Sequence, residues 1–598
     1  MASNNTTFPG PSELSATNLT NAMAANQTFF EKLASVPSTL VEHSDLLVLE
    51  TRIVFTALAC IYIGAHGALR RPPSASLPKK SKKGDKQKPE DAEGQFVQGL
   101  LPSDAIMFPI LAGTVLIGLY YLIKWLEDPD ILNTILRVYF SFMSFASMGK
   151  LFADGLQLLT GFVFPTVWTG TDGNLYHVDS EKRGHWYAVN GSPDREWDEK
   201  KKSPLPGRWS AMRLSGAANS MLWGVRHLLL EQWTVRLFIH GIVNENIKVK
   251  FNDIVGFVLA VGANLIYYTT KSTFLSNIMG YAFSYAGIIL MSPTTFATGS
   301  GVLFGLFFYD IVMVFYTPYM VTVATKLDVP IKLVFEGPTK ASMLGLGDIV
   351  IPGMFIGLCL RFDNYMHYYR QRKLVPVELI TEVESAGHLV TNQETQRMVV
   401  KPEYFNPQGQ WGDRFWGTKF SNILSPDATP ALKASAFPKT YFHAAMIGYL
   451  LSMMTTLVML LTFKHAQPAL LYLVPGVVFA VWLTGAARGE LREMWAYTED
   501  GSLDKTDVIV EVDGNGDILK EVQDDEKKEQ DSAAKKDQGS AAKKDAPSPS
   551  DAAEADPSSK KITKQGEQEI DDRKEAKRPR SGNYSVFVLR VEAPAPGR

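Results

Sequence analysis

Cysteine is nearly absent: Cys60 and Cys359 are the only two in 598 residues, and both lie in apolar runs. A disulfide framework is therefore excluded, and both read as small buried apolar side chains. Histidine is also scarce, at 10 residues. His66, His443 and His465 are scattered without zinc-ligand spacing, so no metal and no other cofactor is implied. Neither sign of charge dominates: the net charge is −2, and no nucleic-acid partner is implied. Residues 1–45 lack an apolar core long enough for a cleavable signal peptide, so the first apolar run is expected to act as the insertion signal.

Long apolar runs are present in number. A mean hydropathy of −0.03 hides them, because it averages apolar blocks with very polar ones. Runs long enough to cross a bilayer fall near 53–69, 104–123, 135–163, 253–270, 274–292, 299–317, 343–362, 441–463 and 468–487. The expected fold is an all-α polytopic membrane protein of nine transmembrane helices. Segment 221–243 is interrupted by Arg226, His227, Glu231, Arg236 and His240, and reads as an amphipathic helix lying on the bilayer.

Charge placement orients the chain. Arg70, Arg71, Lys79, Lys80, Lys82, Lys83, Lys86 and Lys88 face a single acid, Asp85, in the loop after the first run. The positive-inside rule makes that loop cytosolic and the N-terminus lumenal. Four Asn-x-Thr sequons at Asn4, Asn5, Asn18 and Asn26 fit a lumenal, glycosylated segment. Nine spans then leave Arg370, Arg372 and Lys373, and the chain after Arg488 and Arg492, in the cytosol.

Two acids interrupt this apolar pattern. Asp310 lies in GVLFGLFFYDIVMVFY and Asp348 in SMLGLGDIVIPGMFIGL, with no Lys or Arg at matching depth in either stretch. A carboxylate at the bilayer centre costs at least about 3 kcal/mol, so such acids are usually functional or paired. Brought together, two carboxyls cannot both ionise; one keeps its proton, and the pair can act as general base and general acid. The same pair could move protons or cations in a channel or transporter. The acids alone leave both readings open.

Their neighbours are informative. Gly345 and Gly347 flank Leu346 just before Asp348, and lack the Cβ that would hinder a close backbone approach. Gln467-Pro468-Ala469-Leu470 opens the last run with a proline suited to a helix start. Tyr309-Asp310, Gly345-Leu346-Gly347-Asp348 and Pro468-Ala469-Leu470, in that order on separate spans, resemble the signal peptide peptidases. These are GxGD-type intramembrane aspartyl proteases related to presenilin. The flanks PIKLVF (330–335), LRFD (360–363) and FKHAQPALLYLVP (463–475) are similar too, the last to the endoplasmic-reticulum branch.

The resemblance implies a presenilin-like core with Asp310 and Asp348 as catalytic dyad. Tyr309, Gly345, Leu346, Gly347, Gln467, Pro468, Ala469 and Leu470 would shape the site. The implied activity is hydrolysis within type II transmembrane segments, such as remnant signal peptides, in the endoplasmic-reticulum membrane. The bilayer and such substrates are the implied partners, with a homo-oligomer or a degradation complex as further ones. A non-catalytic adaptor in degradation of misfolded spans stays open beside the transporter.

The expected organisation is a lumenal segment (1–45), three spans with a basic loop at 70–100 (46–165), and a cytosolic loop with the amphipathic helix (166–250). Four spans with the dyad follow (251–363), then a cytosolic insert (364–439) and two spans with the Pro-Ala-Leu motif (440–497). Residues 498–598, rich in Lys, Asp, Glu, Ser and Ala with SAAKKD twice, read as a disordered cytosolic tail. Residues 319–342 are expected to border the site and to help bind an extended substrate chain.

Overall fold

The computed structural model describes residues 44–76, 98–126, 129–188, 195–239, 243–327, 329–337, 341–385, 388–418, 427–463, 467–503, 508–512, 518–521 and 587–592. The four sequons, most of the basic loop and the SAAKKD repeats lie outside these residues. Among the described residues nine helices are long and apolar enough to cross a membrane. They belong to α1 (Ser44–Gly67), α2 (Asp104–Leu126), α3 (Pro129–Val163), α5 (Phe251–Thr270), α6 (Thr273–Leu290), α7 (Phe296–Ile311), α9 (Gly347–Tyr369), α12 (Thr440–Phe463) and α13 (Leu470–Arg488). Shorter helices are α4 (Gly216–Leu230), α8 (Tyr319–Lys326), α10 (Trp411–Gly417), α11 (Pro430–Ser435) and α14 (Leu491–Ala496).

Helix α9 is the axis of the bundle. Ile356, Leu358, Cys359, Leu360 and Phe362 are fully enclosed by α1, α6, α7, α12 and α13. A helix apolar all round belongs in such a centre, whereas its neighbours keep one face for lipid. Phe55, Ile106, Phe142, Phe257 and Leu451 are accordingly exposed on the outer helices. Small residues set the closest approaches. A Cβ at Gly256 of α5 would stand 2.5 Å from the Ala153 backbone nitrogen of α3, and one at Gly448 of α12 would stand 2.7 Å from the Gly476 carbonyl of α13.

With nine antiparallel passes, the connections after α1, α3, α6, α9 and α13 share one membrane face, and contacts join them there. Gln408 donates to the carbonyls of Gly67 and Leu69. A parallel pair, β1 (Gln98–Leu100) with β8 (Met291–Pro293), lies on the same face. So does a four-stranded antiparallel sheet of β2 (Val167–Thr169), β3 (Leu175–Asp179), β4 (Gly184–Ala188) and β5 (Arg195–Asp198). Asp413 fastens α10 to the junction between α3 and that sheet, accepting from the amide and hydroxyl of Thr166, both at 2.6 Å.

Two expectations need correction. The amphipathic helix read over 221–243 ends at Leu230, and Gln232–Ile239 is β6, paired with β7 (Val243–Lys250). The run QWTVRLFI is rich in β-branched and aromatic residues, which favours a strand once a partner strand follows. Arg226 is buried rather than lying at a lipid surface. The boundary of the tail also moves. Glu499 is enclosed in the protein: Arg361 Nε donates to it at 2.8 Å, Tyr497 at 2.8 Å and Ser292 at 2.7 Å, and Arg70 pairs with it as well. Further on, β13 (Val508–Val512) pairs with β12 (His388–Val400) and with β14 (Ile518–Glu521), while β15 (Phe587–Glu592) pairs with β6. Strand β12 forms a hairpin with β11 (Lys373–Ser385) within the insert.

Candidate active site

The two acids come from consecutive spans. Asp310 is the penultimate residue of α7 and is 3% exposed. Immediately after it the helix widens into a π-turn, Val312–Tyr316, before Pro318 caps α8. Such widened turns are frequent at functional sites. Asp348 is the second residue of α9 and is half-buried. The two carboxyls lie close enough for the charge of Asp310 to act on Asp348.

Asp310 has a specific partner. The backbone N–H of Leu470 donates to its Oδ2 at 3.1 Å. Leu470 is the first residue of α13, where the amides have no carbonyl a turn earlier to bond. Pro468 has no N–H to compete, and its carbonyl accepts from Leu471 at 3.3 Å. The Pro-Ala-Leu sequence thus starts a helix whose free amide and positive dipole end meet Asp310.

Asp348 follows a hairpin, β9 (Lys332–Glu336) with β10 (Ala341–Gly345), antiparallel with Leu344 opposite Leu333. The apolar run expected from 343 therefore begins as strand, and the helix starts only at Gly347. Both glycines are exposed. A Cβ at Gly345 would stand 3.5 Å from Asp348 Oδ2, and one at Gly347 would touch only Ile351 Cδ1, at 3.8 Å. Leu346 between them is half-buried and donates its N–H to the Ile331 carbonyl at 3.1 Å.

Two further expected site residues make contacts of their own. The Tyr309 ring packs towards Gly113 of α2. Gln467 accepts a long bond, 3.4 Å, from Tyr472 of its own segment. Sequence reasoning missed two supports. Tyr449 of α12, fully buried, donates to the Asp348 carbonyl at 3.2 Å. Asn277 of α6 grips β9 through both amide atoms, its nitrogen donating to the Val334 carbonyl at 2.7 Å and its oxygen accepting from the Val334 N–H at 2.9 Å. A lone Asn in an apolar span was the available signal for Asn277; a Tyr in an apolar span signals nothing by itself.

The relationship to known proteins follows this geometry. The signal peptide peptidase family model matches residues 92–501. The chain belongs to the signal peptide peptidase family. A probable intramembrane protease of Schizosaccharomyces pombe is 32% identical over 268 residues, covering 44% of this chain and 69% of that protein. Signal peptide peptidase of Mus musculus is 32% identical over 271 residues, 44% of this chain and 53% of its own length. Intramembrane protease 2 of Caenorhabditis elegans is 32% identical over 277 residues, 44% of this chain and 47% of its own. The chain thus spans about half the length of the mouse and worm relatives. No solved structure matches it. As a signal peptide peptidase family member it is a multi-pass membrane protein, and both acids and the Pro-Ala-Leu segment fall within the matched region.

Proposed function

We propose that the protein is an aspartyl endopeptidase that hydrolyses peptide bonds inside the membrane, with Asp310 and Asp348 as its dyad. The observation that carries this reading is the Leu470 amide on Asp310, which brings the third family motif onto the first. One carboxylate takes a proton from water as it attacks the peptide carbonyl, and the other, protonated, donates to the developing oxyanion. Neither a metal nor a cofactor takes part.

A membrane helix has its backbone bonds satisfied internally, so the substrate must unwind before attack. Strand β10, paired with β9 on one side, offers its other edge to an extended substrate just before Gly345. Exposed Gly345 and Gly347 leave room for that backbone beside Asp348. The favoured substrates are type II spans weakened by polar, Gly or Pro residues, remnant signal peptides among them. The location is the endoplasmic-reticulum membrane, with a lumenal N-terminus and a cytosolic C-terminus.

The test uses detergent-purified protein and a synthetic signal peptide with a helix-breaking residue. Wild type should cut it, while Asp310→Ala and Asp348→Ala should not, although both melt as wild type does. If no peptide is cut and the variants alter proton flux or adaptor binding instead, the protease reading is wrong.

A further inference from the structure

A second polar site lies on the membrane face that carries the insert. His66 is the penultimate residue of α1, and Lys439 immediately precedes α12, so both sit at a membrane boundary. They line a small pocket with Trp411 and Arg414 of α10, Gln408 and Ser435, open to the outside and with a cavity volume of about 30 Å³.

The hydrogen bonds define its charge. His66 Nδ1 donates to the Tyr62 carbonyl at 2.8 Å, which leaves Nε2 as acceptor for Lys439 Nζ at 3.0 Å. The imidazole is therefore neutral, and the positive charge resides on Lys439 and Arg414. Neither forms an ion pair among the described residues. Arg414 uses one guanidinium nitrogen on the Ser435 carbonyl, at 3.0 Å, and has donors to spare. The acid that acts on Lys439 is Asp363, whose two oxygens accept the amides of Tyr441 and Phe442 at 3.1 and 2.9 Å. Burial and the Arg414 charge accordingly push the Lys439 ammonium down to about 8. Half-buried Lys439 and exposed Arg414 thus line one pocket with no ion-pair partner among the described residues, and an anion there would meet donors from both.

We propose that this pocket binds a phosphate group, taken between Lys439 and Arg414 by charge-assisted hydrogen bonds, with Gln408 and Trp411 at its rim. Guanidinium and ammonium donors suit phosphate oxygens, and a site at the bilayer boundary is reached by a lipid headgroup as readily as by a free phosphate. The ligand would tie α1, α10 and the start of α12 together.

Native mass spectrometry of the full-length protein, released from phosphatidylcholine nanodiscs with and without phosphatidic acid, tests the lipid source. Calorimetry with inorganic phosphate in detergent tests the free anion. Wild type should retain phosphatidic acid or bind phosphate. Lys439→Gln and Arg414→Gln should each weaken the binding about tenfold, the loss expected for one hydrogen bond to a charged group. Lys433→Gln, outside the pocket, should bind as wild type, and all variants should melt as wild type in phosphatidylcholine. Retained phosphatidic acid with no phosphate heat assigns the site to a lipid headgroup; phosphate heat without lipid retention assigns it to a soluble anion. If wild type binds neither, or the two pocket variants bind as well as wild type, the proposal is overturned.

Discussion

Replacing Glu499 with alanine should be the most damaging single change outside the membrane. Its carboxylate lies between Arg361, 3% exposed, and Arg70, 26% exposed. Removing one partner of a buried pair leaves the other charge unsatisfied, which costs about 3–5 kcal/mol. Arg70 is partly solvated and can turn to water, so Arg361 dominates and the lower end, about 3 kcal/mol, is expected. Glu499→Gln keeps an acceptor in place but not the charge, and should cost roughly half as much. Acidification reaches the same cluster by another route. Burial alone would raise the Glu499 carboxyl, but Arg361 and Arg70 outweigh it and hold it below the usual glutamate range. A depressed carboxyl adds stability that is complete above its unfolded pKa, about 4.3, and fades as pH falls through the lower folded value. The cluster should therefore be intact at neutral pH and weaken only below about pH 4. The assay is thermal unfolding at a fixed scan rate in one detergent, at neutral pH. A Glu499→Ala protein that melts with wild type and cuts substrate normally would show that the cluster does not anchor the chain beyond α14.

Three further outcomes follow from the site. Gly347→Ala should lower kcat/KM without moving the melting midpoint, because its Cβ meets only Ile351 within the protein and would crowd the substrate; unchanged turnover would remove the proposed role. Asn277→Ala should free β9 and cost about 1–3 kcal/mol of local stability, seen as faster amide exchange over 332–345 and a raised KM; exchange identical to wild type would refute the grip. A dyad that shares one proton should give a bell-shaped rate profile against pH, each limb belonging to the pair. A flat profile across the titrating range would argue against it.

Much of the membrane region was legible because bilayer thickness imposes one simple length rule. All nine apolar runs reappear as helices, most ends shifting by a few residues. The clearest departure is at 343–346, where apolar composition could not distinguish the first turn of a span from the end of β10. Outside the membrane, local pattern was outweighed by partners. QWTVRLFI looked amphipathic-helical until β7 and β15 supplied edges for it. Glu499 was lost in a charged composition, since nothing local reveals that Arg361, 138 residues earlier, waits for a carboxylate. Asp310 and Asp348 could be picked out because a lone acid in an apolar run has few inexpensive explanations. The bond from Leu470 could not, because it depends on where two distant helices meet.

The most direct test of the account is the rate of signal-peptide cleavage by Asp310→Asn, Asp348→Asn and the double variant, each verified as folded. Residues that act as one unit are non-additive. Each single change should bring turnover to the background, and the double should lower it no further. Wild-type turnover in either single variant, or losses that multiply in the double, would contradict a shared catalytic dyad.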